Sequence, residues 1–383
     1  MGRYEAEAGS DKCNCRAGGM DRLLALPERL SAPELTTVLR ILDPQGNLVD
    51  GAQPRLSLER TVEGLRWMML SRAFDARATA MQRQGRLGTY SPVKGQEASV
   101  VGSSLALDPA RDWIAPSYRE LPALVRHGHS LERIVAGYMG KAASSGIREG
   151  VNVLPNQVAL ATQLQHATGL AWGLKLQRKP GVVMAYCGEG AASEGDFHEA
   201  CNMAGVRGAP IIFVLMNNQW AISTSRELQS AGEFYRRAEG YGFPGVLVDG
   251  NDLLAVYQAA ADAVERARSG SGPTLIDCVT FRLSFHNTTD DPGAYLPAGW
   301  LERAEREDPI RRVQAFLAAQ GLWDDGSRAP VEGEIAEQID AAVQAASAMR
   351  TSRATDLFDN VYDRPPERMR RQREELLRLT GGG

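Results

Sequence analysis

Apolar and polar positions along the chain fall into two rhythms. Between Leu58 and Gln84, Val62, Leu65, Met68, Met69, Phe74 and Met81 recur at helical spacing with Arg and Glu between them, which predicts one long helix or two. The middle of the chain reads differently. Val182-Val-Met-Ala-Tyr-Cys187 is a short unbroken apolar run of the kind expected for a strand buried on both faces, and Gly188-Glu-Gly190 follows it. Next comes a segment with Phe197, Ala200, Cys201 and Ala204 at i, i+3, i+4 and i+7, one face of a helix. The scheme repeats through Pro210–Met216, Gly245–Gly250, a helix from Ala255 to Arg268, and Thr274–Val279. Strand alternating with helix predicts an α/β fold, a mostly parallel sheet flanked by helices.

The ends of the chain lack that alternation. Residues 1–55 mix Gly, Asp and Pro with isolated apolar runs and read as an N-terminal arm, disordered before about Asp21, with order beginning in earnest at Leu56. Residues 56–305 form the α/β domain. From 306 to 383 the composition shifts to amphipathic helices rich in Ala, Glu and Arg, a helical C-terminal tail packed on the sheet domain or on a partner. The charge run Arg368–Leu377 reads as a solvated helix face. No internal repeat or long low-complexity stretch interrupts the pattern.

Composition narrows the classes. With 383 residues, 43% hydrophobic and 23% charged, the chain is neither disordered nor fibrous. A formal charge of −4 is the opposite of a phosphate-backbone footprint, so nucleic acid is not an expected partner. Five scattered cysteines, Cys13, Cys15, Cys187, Cys201 and Cys278, do not form a disulfide framework, and the Cys13/Cys15 pair lacks the second pair a zinc site would need. The first residues carry acids where a signal peptide carries bases, and no apolar run approaches the roughly 20 residues of a membrane span. A reducing cytoplasm is the expected location, with no membrane contact.

Candidate chemistry sits where strands end. Glycines at Gly188 and Gly190 admit close backbone approach, and a following helix offers unpaired N–H groups to phosphate. A dinucleotide fingerprint would need glycine at position 193, which is Ser193, so a plain nicotinamide-cofactor reading fails. One helix plus one strand separates Gly190 from Asn217, which returns Asn217-Asn218 to the same edge of the sheet and sets them beside Glu189. A carboxylate, an amide oxygen and a backbone carbonyl form a hard, oxygen-only set suited to Mg²⁺ held jointly with a diphosphate.

The run Gly188-Glu-Gly-Ala-Ala-Ser-Glu-Gly-Asp196 with Asn217-Asn-Gln-Trp-Ala-Ile-Ser-Thr224 resembles the thiamine diphosphate motif of E1 alpha subunits of 2-oxo acid dehydrogenase complexes. The resemblance continues through Arg83–Tyr90, Gly95-Gln-Glu-Ala98, Pro116-Ser-Tyr-Arg119, Gly150–Pro155, Val248–Asp252, Thr280–His286 and Asp290-Asp-Pro292, covering roughly residues 56–375. It implies that residues 56–305 are a thiamine diphosphate-binding domain. It further implies Glu189, Asn218 and the backbone oxygen of Trp220 as Mg²⁺ ligands, and Tyr118 and Arg119 as diphosphate contacts, an Arg fork being apt for phosphate. Leu160, Gly188, Gly190 and Ala191 complete the implied cofactor contacts.

Departures from the family pattern are specific. Many members have Asp at the position of Glu189. Branched-chain members place a diphosphate-binding Arg where this chain has Met216, and the serine phosphorylated in some eukaryotic relatives is replaced by Asn287. Ala161, Thr162 and Gln163 match positions that bind K⁺ in some members. His286 matches the histidine beside the cofactor that assists transfer to the lipoyl group, and an ordinary imidazole can donate or accept a proton near neutral pH. The polar loop after it, Asn287–Gly293, is expected to be mobile.

In such enzymes the cofactor carries the hard chemistry, and its activating glutamate belongs to a beta subunit. No second pyrimidine-binding domain is readable after residue 300, so the resemblance implies half an active site. The expected assembly is an α2β2 heterotetramer with an E1 beta subunit, docked on an E2 lipoyl acyltransferase. The small 2-oxo acid substrate reads as pyruvate ahead of a branched-chain acid, a methyl or two in an apolar pocket being worth only about 1–3 kcal/mol. The alternatives are an acetoin dehydrogenase alpha subunit or a non-catalytic phosphate-binding relative.

Overall fold

A computed structural model describes residues 38–141, 146–351, 353–359 and 361–381. Its centre is a five-stranded, wholly parallel sheet: β1 (Trp113–Ala115), β2 (Val183–Gly188), β3 (Ile211–Asn217), β4 (Gly245–Asp249) and β5 (Thr274–Val279), in the order β1-β2-β3-β5-β4. The principal helices are α1 (Leu58–Arg83), α2 (Glu97–Leu105), α3 (Thr162–Leu176), α4 (Gly195–Arg207), α5 (Leu253–Arg268), α6 (Pro309–Ala319), α7 (Asp325–Ala348) and α8 (Glu367–Leu379). No helix among the described residues is long and apolar enough to cross a membrane.

Successive side chains on a strand point to opposite faces, so each apolar run feeds two cores. Met184, Tyr186, Ile212, Val214, Ile276 and Cys278 face one side, covered by α1, α2, α5, α6 and α7. Val183, Ala185, Cys187, Ile211, Phe213 and Leu215 face the other, covered by α3 and α4. Helix α4 buries Phe197, Ala200, Cys201 and Ala204, the face its spacing predicts. The 58–84 segment is one helix. Strand β1 carries no pattern signal because it is three residues long and begins with the half-buried Trp113.

Order begins before the expected Leu56. Leu39 forms a parallel bridge with Val248, and Ile41 and Leu42 are buried. One oxygen of Asp252 accepts the backbone N–H groups of Ile41 and Leu42, each at 2.6 Å, while the other caps α5 by accepting from Leu254 and Ala255. The segment is held by a carboxylate some 200 positions away, which local pattern cannot reveal. The expected disorder before Asp21, with Cys13 and Cys15, lies outside the described residues.

The start of the C-terminal segment is core. Ile310, Val313, Phe316 and Leu317 of α6 and Val331, Ile335, Ile339 and Val343 of α7 join the same apolar cluster as β2 and β3. Helix α8 buries nothing, as its charge run implies. An ionic anchor ties α6 to the sheet: Arg312, with a fully buried side chain, donates to Asp249 at 2.8 Å and to Glu307 at 2.5 Å. Burial alone would raise the Asp249 pKa, but Arg312 and Arg40 outweigh it and hold that carboxyl below its usual value. Replacing Arg312 with Leu leaves Asp249 with only the partly exposed Arg40 and Glu307 without its ion pair, and is expected to cost about 3 kcal/mol, the low end for breaking a buried pair. A lowered denaturant midpoint is the readout, and an unchanged midpoint would contradict the anchor.

Candidate active site

Strands β2 and β3 end side by side, with Gly188 in register with Met216. Past Gly188 the chain makes a 3₁₀ turn, Glu189–Ser193, before α4 begins. Past Asn217 it reverses through Gln219, at φ +74°, into a short antiparallel pair of Trp220–Ala221 with Thr224–Ser225. A Cβ at Gly190 would meet the Ala221 Cβ at 2.8 Å, so glycine lets the two turns close together. Asn218 N–H then donates to Glu189 Oε2 at 3.3 Å, and the Asn218 Oδ1 accepts from Trp220 N–H at 3.3 Å.

These turns form one wall of a cavity of about 530 Å³. Tyr118, Arg119, Leu160, Gly188, Glu189, Gly190, Ala191, Asn218, Trp220 and His286, the ten residues singled out in the sequence, all line it. So does Met216, where branched-chain sequences have arginine. The same lining contains Gln96, Glu120 and Tyr138, which no residue pattern marked as functional. Glu189, Asn218 and Trp220, the residues expected to supply one carboxylate, one amide oxygen and one carbonyl, lie on the same wall. Among the described residues no cluster of three or more His, Cys, Asp or Glu side chains could hold a metal, so a cation here would need cofactor oxygens as well.

The family described as Dehydrogenase E1 component matches residues 65–355. The chain belongs to that family. It is 41% identical to the pyruvate dehydrogenase E1 component subunit alpha of Bacillus cereus, over 88% of this chain and 91% of the relative. Against the proteins of the same description from Bacillus subtilis and Staphylococcus epidermidis the figures are 40% and 38%, over 88% of this chain and 91% and 92% of the relatives. The polypeptide is thus an E1 component of the alpha type, an enzyme subunit of a 2-oxo acid dehydrogenase.

In this E1 chain the charged groups are placed by backbone oxygens. Arg119 Nε donates to Pro92 O at 3.1 Å and its Nη2 to the His286 carbonyl. Arg282 donates to Trp220 O at 3.2 Å and Ile222 O at 2.8 Å. Both guanidiniums also reach His286 Nδ1, Arg282 at 2.8 Å and Arg119 at 3.1 Å. A guanidinium has only donors, so Nδ1 accepts and the ring proton sits on Nε2. Glu189 is buried, and among the described residues no cation pairs with it; burial raises its pKa, partly offset by its backbone hydrogen bonds and by Arg282. That uncompensated carboxylate, in an oxygen-only set, fits a divalent cation. Burial also pushes Glu120 up to about 7.

The loop expected to be mobile is tied down. His286 N–H donates to Asp290 at 2.6 Å, Tyr295 OH donates to the same oxygen at 2.7 Å, and Thr288 exchanges two hydrogen bonds with the Tyr90 backbone. At the positions matched to potassium, Ala161 and Gln163 are buried; Gln163 Nε2 donates to Tyr186 O at 2.7 Å and its Oε1 has no partner.

The ordinary imidazole pKa does not apply to His286. Burial first, then Arg119 and Arg282, push it down to about 3 against the opposing pull of Asp290. A depressed pKa keeps the ring neutral well above that value, with its proton on Nε2. The pH profile of turnover is therefore expected to show no His286 ionisation at its ordinary 6.5. An inflection there that disappears in His286→Gln would contradict this.

Proposed function

We propose that this chain, with an E1 beta subunit in an α2β2 heterotetramer, catalyses thiamine diphosphate- and Mg²⁺-dependent oxidative decarboxylation of pyruvate and transfers the acyl group to lipoyl-E2. The observation that carries the reading is the convergence of Glu189, Asn218, Arg119 and His286 on one cavity from four separate segments. Pyruvate is favoured by the description shared by relatives about 40% identical. The absence of arginine at Met216 also sets the site apart from branched-chain patterns.

When bound, the cofactor supplies an electron sink for the pair left behind as CO₂ departs. The chain's own residues bind and aim it. Glu189, Asn218 Oδ1 and the Trp220 carbonyl would hold the Mg²⁺, and Arg119 with Tyr118 would take diphosphate oxygens. Leu160 and Ala191 add apolar lining, and Gly188 and Gly190 let the backbone approach. His286 offers Nε2–H to an oxygen of the reacting substrate. Gln163 Oε1, buried and unpartnered, supports K⁺ at the Ala161–Gln163 turn. Buried free thiols at Cys187, Cys201 and Cys278 agree with a reducing cytoplasm.

The test is decarboxylation with a dye acceptor, using this chain mixed with its beta subunit, thiamine diphosphate and Mg²⁺, comparing pyruvate with 3-methyl-2-oxobutanoate. Turnover on pyruvate that requires both chains is expected; preference for the branched acid would move the substrate, and silence on both would favour acetoin chemistry or a non-catalytic relative. Glu189→Ala should weaken Mg²⁺-dependent cofactor binding by on the order of 100-fold, since even residues one layer behind a metal cost about 10–100-fold. His286→Ala should leave cofactor affinity nearly unchanged and slow lipoyl acylation by on the order of 10²-fold or more.

A further inference from the structure

The Gly95-Gln-Glu-Ala98 run has no part in the function described above, yet it is fixed from several sides beside the site. Gly95 adopts φ +101°, and a Cβ there would stand 2.2 Å from the Phe281 carbonyl oxygen and 2.8 Å from Leu283 N, so this turn fits against the chain leaving β5 only as glycine. Thr280 Oγ1 donates to Gly95 O at 3.0 Å. On the upstream side Asp75, fully buried, accepts from Val93 N–H at 3.1 Å and Lys94 N–H at 2.7 Å. Downstream, every residue of α2 is buried. Gln96 sits between these clamps with 1% of its surface exposed.

Its Oε1 accepts from Asn218 Nδ2 at 3.2 Å. A carboxamide offers an oxygen and an amino group of nearly the same shape, and a hard cation takes only the oxygen. Asn218 is committed at both ends, Nδ2 to Gln96 and Oδ1 beside the Trp220 N–H. We infer that Gln96 is a positioning residue of the cation site: by accepting from Nδ2, together with the Trp220 N–H on Oδ1, it fixes the Asn218 amide so that the second lone pair of Oδ1 is presented to Mg²⁺. The inference rests on the functional reading above. Orienting partners of this kind typically contribute about 10–100-fold to metal affinity.

The test uses the α2β2 protein and titrates Mg²⁺ in the presence of thiamine diphosphate, following cofactor binding by calorimetry, with an EDTA arm for the cation-independent part. Gln96→Met keeps length and loses the acceptor; it should raise half-saturating Mg²⁺ by about 10-fold or more and leave the EDTA arm unchanged. Gln96→Glu keeps an acceptor oxygen and should stay within about threefold of wild type, a rescue that a merely space-filling role would not show. Wild-type Mg²⁺ dependence in Gln96→Met, or a Gln96→Glu protein as weak as Gln96→Met, overturns the inference. Failure of the functional reading is distinguishable, because it appears as no Mg²⁺-dependent cofactor binding in the wild-type tetramer, and it takes the inference with it.

Discussion

The hydrogen-bond ladder between β2 and β3 is the constraint on which the site depends. Six consecutive residue pairs, from Val183 with Ile211 to Gly188 with Met216, fix where both strands stop. A slip of one residue would turn either Met184 and Tyr186 or Ile212 and Val214 toward the wrong core, so the register is set by apolar burial on two faces at once. Glu189 and Asn218 are simply the residues that come next. Core packing brings them near, and the turns finish the approach through the space Gly190 leaves and the Asn218 N–H bond to Glu189.

What the strands do for one wall, long-range hydrogen bonds do for the other. His286 belongs to a polar loop, but Arg282, Asp290 and Tyr295 brace it from within, and Thr288 pairs with Tyr90. Tyr90 in turn donates its hydroxyl to Asp75 at 2.5 Å, the carboxylate that also holds Val93 and Lys94. Burial lifts Asp75 to about 7, against the pull of Tyr90 and the two backbone donors. One buried acid on α1 thus bears on both the His286 loop and the turn that carries Gln96.

Much of this was legible in the sequence, for physical reasons. Doubly buried strands are read from apolar runs, and β2 and β3 announce themselves that way, while β5 is read from its apolar residues despite the buried Asp277 in its middle. The helix after Glu189 shows its buried face at the correct period. Spacing found Glu189 and Asn218, since strand ends are predictable once strands are, while Tyr118, Arg119, Leu160 and His286 came from the family resemblance alone. Other features were not readable. Strand β1 is too short to have a period, and residues 38–55 are ordered by Asp252, a partner far along the chain. The lowered pKa of His286 comes from burial first and then from two arginines, one of them 167 positions away, that approach the same ring nitrogen only after folding. Gln96 could be seen in a motif, but not its orientation.

Arg119 and Arg282 are located by the carbonyl oxygens of Pro92, His286, Trp220 and Ile222, not by paired carboxylates. A dipole can hold a guanidinium in place without cancelling its charge, and Glu120, lifted to about 7 by burial, cancels little more. Arg119 therefore brings its charge, unpaired with any carboxylate among the described residues, to a wall it shares with the Glu189 carboxylate, so the cavity presents both signs side by side. Salt weakens the reach of either charge over a Debye length of about 8 Å at physiological ionic strength. The choice of carbonyls over carboxylates as anchors thus leaves the guanidinium charge to be answered by whatever enters.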